Sequence, residues 1–205
     1  MKRAIAHLKS ISPICFGRYY SVPKLVGETD VDFEVRTWRN RCHTTSDGRV
    51  RIPGSMIQTA VLNAAKSYVK DTIPGQGKAK YGKKFDAGVR VIDDIVLPIK
   101  VDDVDCETAF VPSSGERGGG KRVMKYFPKV NSWEGAATFE IYDDIIDEAI
   151  FEKALTAAGM YVGLGVFRPA NRGNMGLFEV QKIQWEINPQ MEWFKIPVRE
   201  YLDRK

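Results

Sequence analysis

The chain of 205 residues is poor in the side chains that carry redox, metal or acid–base chemistry. Its three cysteines, Cys15, Cys42 and Cys106, are an odd number without zinc-ligand spacing, and they read as reduced thiols in a cytoplasmic protein. Two histidines, His7 and His43, leave general acid–base catalysis little to draw on. There is no Walker loop and no dinucleotide fingerprint, and no cofactor is implied. No apolar run approaches the ~20 residues that span a bilayer, and the N-terminal stretch lacks the apolar core of a signal peptide, so no membrane partner is expected. Acidic residues are scarce in one part of the chain. Residues 1–90 carry 17 Lys and Arg against 7 Asp and Glu, whereas residues 91–205 carry 14 against 19. A basic half in a chain of net charge +5 points to a polyanionic partner.

What is present centres on the stretch from Tyr161 to Val180, with Gly163, Gly165, Gly173 and Gly176, the cations Arg168 and Arg172, and Asn171 and Asn174. Glycine lets another chain approach the backbone closely, and arginine adds fixed charge and a planar surface, so the stretch reads as a holder of a phosphodiester backbone or as a plain connection.

Around it the chain reads as an α+β protein of one domain over residues 1–205. Lys2 to Ile14 is expected as a strand, and residues 21–50 as a long insertion. In and before the insertion, Arg18, Tyr20, Lys24, Arg36, Arg39 and Arg41 interleave with Phe16, Tyr19 and Trp38, a pattern suited to a single strand with bases stacked on rings. A helix starts at Pro53-Gly54, with Ser55 and Gln58 as a capping box and Ile57, Val61, Ala64 and Tyr68 as its core stripe. Its first amides read as an anion site. Residues 71–86 read as a lysine-rich loop and Val89–Leu97 as a strand. Residues 112–128 read as a projecting hairpin around Gly115–Gly120. Then come a strand at Ala137–Tyr142, a helix from Asp147 to Val162, the glycine stretch, a strand at Leu177–Trp185 and a tail over 187–205. The order is βαββαβ, the ferredoxin-like pattern of the common RNA-binding (RRM-like) modules.

Three of these features stand in the order seen in the RAMP superfamily of CRISPR effector proteins: Ser12-Pro-Ile-Cys-Phe-Gly17, Ile52-Pro-Gly-Ser55, and the glycine stretch before the last strand. The chain resembles that family's crRNA-binding backbone subunits over roughly residues 4–185. The resemblance implies a sequence-independent binder of single-stranded RNA (or single-stranded DNA) that assembles side by side into a filament or ribonucleoprotein complex for antiviral defence. It implies Ser55, Gln58, Arg168, Arg172 and Asn174 along the RNA backbone and residues 112–128 as a thumb. Met56-Ile57-Gln58-Thr59 departs from the family's usual continuation, and the large insertions are reduced. A short phage or mobile-element relative fits these departures.

Two alternatives belong to other classes. Some family members cut RNA with an aspartate before the first helix, where Asp30 and Asp32 lie, and His43 is the one acid–base candidate; this is the metal-dependent endoribonuclease reading. The other is an anti-CRISPR-type mimic of a backbone subunit, acting by protein contact. The non-catalytic reading is preferred here. The aspartates at 102, 103 and 105 and at 143, 144 and 147 read as solvated edges or helix-start charge rather than as Mg²⁺ ligands.

Overall fold

Small and apolar side chains at every second position make the first strand: Ala4, Ala6 and Leu8 are buried on one face of β1 (Lys2–Ser10). A computed structural model describes residues 1–113 and 121–187. The expected hairpin turn at Gly115–Gly120 and the expected tail beyond Ile187 lie outside the described residues. After β1 come β2 (Ile14–Cys15), α1 (Asp30–Thr37), β3 (Arg49–Ile52), α2 (Gly54–Ser67), α3 (Gly82–Gly88), β4 (Val89–Val91), β5 (Ile95–Lys100), β6 (Asp105–Pro112), β7 (Arg122–Val130), β8 (Glu134–Ile141), α4 (Glu148–Ala157) and β9 (Phe178–Ile187).

The main sheet has the order β4-β8-β1-β9, with every neighbouring pair antiparallel. With α2 between β1 and β4 and α4 between β8 and β9, this is the ferredoxin-like βαββαβ arrangement. Phe151 of α4 seats its ring against Phe139 of β8 at 5.1 Å and Trp185 of β9 at 5.5 Å, so the helices cover one face of the sheet. The opposite face presents Arg3, Ile5 and His7 of β1 beside Thr138 and Glu140 of β8. Those positions hold no Phe, Tyr or Trp, so the sheet itself offers no platform of stacking rings. Glu140 on this face pairs with Arg3 at 3.2 Å and accepts the Tyr142 hydroxyl. A second sheet, β2-β7-β6, and the pair β3–β5 lie outside the main one.

Several expectations shift for local reasons. The first strand stops at Ser10 because Ser12 and Pro13 turn the chain, and only Ile14–Cys15 resumes pairing, now with β7. The insertion holds a helix: Thr29 caps α1 by accepting from the Asp32 amide at 3.2 Å, and Asp30 and Asp32 add acidic charge to its first turn. The lysine-rich loop ends in α3. The strand expected over Val89–Leu97 breaks at Ile92–Asp94 into β4 and β5, which pair with β8 and β3 respectively. Asp93 in that break accepts the Thr138 amide at 2.8 Å. In the core stripe of α2, Ile57, Val61 and Ala64 are buried, but Tyr68 is exposed and stacks on Tyr161.

Two rings expected as base platforms belong to the core. Phe16 is fully buried, and Trp38, in the turn after α1, is 7% exposed. Phe16→Ala should therefore cost about 3–5 kcal/mol of stability. Chemical denaturation reads this directly; an unchanged midpoint would return Phe16 to the surface.

Candidate nucleic-acid interface

A half-buried cation set among a carboxylate, a carbonyl and rings organises the region where β2, the turn after α1, β7 and the glycine stretch meet. The Arg41 guanidinium donates to Glu34 at 2.9 Å and to the Tyr126 carbonyl at 3.2 Å. It lies 5.2 Å from the centre of the Tyr20 ring and 5.5 Å from that of Phe127, which meets Phe167 in a T-shaped pair with ring centres 5.0 Å apart. Tyr20 stacks on Phe33 of α1, and its hydroxyl lies 2.7 Å from that of Thr37. Because the Thr37 hydroxyl donates to the Phe33 carbonyl at 2.6 Å, Tyr20 is the donor to Thr37.

These groups form the floor of an open groove of about 1720 Å³. Arg18 and Tyr19 line it from the segment after β2, Arg122 and Lys125 from β7, and Asn171 and Arg172 from the glycine stretch. Among the described residues Arg18, Arg122, Lys125 and Arg172 make no ion pair, and Tyr19 is 87% exposed. Arg172 is the one described non-glycine residue with positive φ, at 60°, in the turn that follows Pro169–Asn171. An arginine in the left-handed region carries about 1 kcal/mol of strain, and here that strained backbone lies on the groove wall.

The groove thus gathers Arg18, Tyr20, Arg41, Asn171 and Arg172 of the residues the sequence singles out, and it leaves the others elsewhere. Lys24 pairs with Asp30, and Arg36 pairs with Glu28 at 2.6 Å, so both tie the insertion to itself. The Arg36 guanidinium holds the Glu28 carboxyl down to about 2. Arg39 lies over the Trp38 ring at 4.3 Å. Arg168 donates to the Gly165 carbonyl and borders a separate cleft of about 120 Å³ against α2. Ser55 is exposed at the start of α2, and Asn174 is exposed on the loop.

The helix start is a correction to the sequence reading. Pro53 occupies the cap position, and no side chain caps the end. The Gly54 amide donates to Asp94 at 2.7 Å, and Asp94 also pairs with Arg51, so this protein's own carboxylate already holds that amide. Gln58 faces β4 rather than a ligand: its amide donates to the Val89 carbonyl and accepts the Val91 amide, both at 2.7 Å, which closes the open edge of the main sheet.

The glycine stretch is also bonded inward. The Gly176 amide donates to the Pro13 carbonyl, Val166 to Cys15, Leu164 to Gly176 and Met175 to Phe167, at 2.7 to 3.0 Å. A Cβ on Gly173 would overlap the Phe167 carbonyl, and one on Gly176, at φ 75°, would overlap that of Leu164. These glycines let the loop fold on itself and on β2; they do not bring its amides to a ligand. The loop contributes side chains to the groove instead. The lining residues missed from sequence, Phe33, Glu34, Arg122, Lys125, Phe127 and Phe167, had one visible signal. Lys125 and Phe127 alternate along β7, so they share a face of the hairpin.

The catalytic candidates do not converge. Asp30 is exposed with Lys24, and Asp32 accepts the Thr29 hydroxyl at 2.6 Å in the α1 cap. His43 lies outside the groove lining with its ring centroid 6.2 Å from that of Phe16, and burial, with Arg51 and Arg18 nearby, pushes its imidazole below the usual value. Among the described residues no three His, Cys, Asp or Glu side chains are placed to share a metal ion. Burial pushes the Cys15 and Cys42 thiols up to about 12. No described helix is long and apolar enough to cross a membrane.

Fold and site together define a ferredoxin-like α+β protein with a basic, ring-lined groove set outside its main sheet. No protein-family model matches the chain, and no curated protein matches it in sequence. Among solved structures it is similar to a chain of the type III-B Cmr-beta complex bound to cognate target RNA, at 12% identity and TM-score 0.49, over 90% of this chain and 60% of that one. It is also similar to Cmr6 from Pyrococcus furiosus, at 15% identity and TM-score 0.45, over 88% and 99% of the two chains. A Cas6 product complex follows at 13% identity and TM-score 0.32, over 86% and 50%. At these identities the likeness is one of fold, and the chain spans less than two thirds of the first of these proteins.

Gly173→Val and Gly176→Val should each lower stability by about 2–4 kcal/mol through overlap with the loop's own carbonyls. Thermal melts test this; a loss of ligand affinity at unchanged melting temperature would restore the glycines to the interface. His43 gives a pH dependence of defined sign. Its folded value lies below its unfolded one, so its contribution is whole above the unfolded value near 6.5 and is lost as pH falls from there through the folded value. Between pH 7.5 and 5.5 the wild type should lose more melting temperature than His43→Gln.

Proposed function

We propose that the chain binds single-stranded nucleic acid, RNA by the motif resemblance, with phosphates on Arg18, Arg122, Lys125 and Arg172 and a base against the exposed Tyr19 ring. The groove carries this reading: segments distant in sequence place four cations, without acidic partners among the described residues, around a floor of rings. Its volume of about 1720 Å³ exceeds the roughly 300–1,000 Å³ of small-molecule pockets and suits a polymer. Contacts through phosphate and ring are indifferent to sequence, because every nucleotide supplies both. Side-by-side assembly along the strand, as the resemblance implies, is part of the same proposal, and its signature is cooperative binding. The reading is non-catalytic: the candidate aspartates are engaged in and around the α1 cap, away from the groove lining.

Fluorescence anisotropy with a labelled single-stranded 20-mer, as RNA, as DNA and annealed to its complement, tests this. Four phosphate contacts on a single strand give a slope of log K against log salt of about −3. Arg18→Gln, Lys125→Gln and Arg172→Gln combined should flatten that slope by about 2 and weaken binding at least tenfold. An affinity independent of salt, or a triple variant that binds like wild type, would sink the proposal.

A further inference from the structure

Among the described residues lining the groove, Glu34 is the only carboxylate, set among Arg18, Arg122, Lys125 and Arg172. One of its oxygens accepts from a terminal nitrogen of Arg41 at 2.9 Å, and the other lies 2.9 Å from the second terminal nitrogen as an ion-pair contact without a hydrogen bond, the charge pairing by which a guanidinium also holds a phosphodiester. The two side chains are 15% and 11% exposed, so the deepest cation of a groove suited to polyanions is already occupied by an anion of this chain.

The helix that carries Glu34 has few polar ties to the body. The ion pairs Lys24–Asp30 and Arg36–Glu28 run within its own segment. Val31 and Val35 are exposed. Among the described residues, the side-chain ties inward are Glu34 to Arg41, Phe33 to Tyr20, and Thr37 to the Tyr20 hydroxyl. Two of these three side-chain pairs, Glu34 with Arg41 and Phe33 with Tyr20, lie on the groove lining.

We infer, on the single-strand reading above, that Glu34 stands in for a phosphate on Arg41 and is exchanged for a phosphate of the bound strand, which makes it the residue that sets how readily the groove accepts its ligand. The exchange keeps a half-buried guanidinium paired in both states, where an unpaired one would carry a desolvation penalty. It also raises the threshold for binding. A lone phosphate gains too little elsewhere to displace the carboxylate, whereas a strand held at once by Arg18, Lys125 and Arg172 gains enough. Glu34 thereby selects polymers over mononucleotides.

The test is a double-mutant cycle read by anisotropy on single-stranded RNA and, by competition, on adenosine monophosphate. It compares wild type, Glu34→Gln, Arg41→Gln and the double variant, with melts run alongside. Asp102→Asn, outside the groove, is the control for net charge. Glu34→Gln should tighten RNA binding about fivefold and steepen the salt slope by about 0.7, because no freed carboxylate takes up a cation. It should also admit the mononucleotide as a competitor. These gains should vanish in the Arg41→Gln background. Gains that persist there, that Asp102→Asn matches, or that do not occur would overturn the inference alone. Failure of the wild type to bind any strand would overturn the single-strand reading with it. A second measurement needs no variant. Hydrogen exchange of the α1 amides should quicken when RNA binds wild type, since the helix loses a tie; protection of those amides would count against the exchange.

Discussion

Arg41 is the side chain on which the groove depends. A guanidinium at 11% exposure must find acceptors for its fork, and the ones it finds come from different places: Glu34 on α1 and the Tyr126 carbonyl on β7. Its faces are taken by Tyr20 and Phe127. One desolvated charge therefore pins the insertion to the hairpin and holds the rings apart at the width of the groove. The Arg18 amide donates to the Arg41 carbonyl at 3.0 Å, which places the neighbouring wall as well.

The second constraint is the self-bonding of the glycine stretch. Its amides are used by Pro13, Cys15, Phe167 and Gly176, so the loop is a rigid shelf beside β2. A shelf built that way has no amides to offer a ligand at those positions, and it offers Asn171 and Arg172 at its rim. The same economy governs the start of α2. Asp94 takes the first amide and Gln58 turns to the edge of β4, so two of the groups the motif suggests for binding hold the protein together, and Ser55 stays exposed. Buried polar groups are satisfied internally before any is left for a partner.

A ferredoxin-like sheet whose open face lacks large rings has to place recognition elsewhere. In this chain the segment from β2 to the end of the insertion and the β6–β7 hairpin, neither part of the βαββαβ core, supply most of the groove. The core acts as a frame that brings them together, and variation in the two insertions can change the ligand without disturbing the frame.

The sequence alone determined the frame. Period-two burial in β1 and β8, the apolar stripe of α2 and the Asp147 cap of α4 are local patterns, and a local pattern is legible because its energy is decided within a few residues. It also marked Arg18, Tyr20, Arg41, Asn171 and Arg172, since cations, amides and rings in loops are conspicuous there. Tertiary structure decided which marked groups were already spent. Phe16 and Trp38 became core, Gln58 and the Gly54 amide were consumed by β4 and Asp94, and Lys24, Arg36 and Arg39 found partners within a few residues of their own segment. Whether a polar group is free depends on which distant acceptor comes within 3 Å of it, and that distance is set only when the strands, helices and loops have packed.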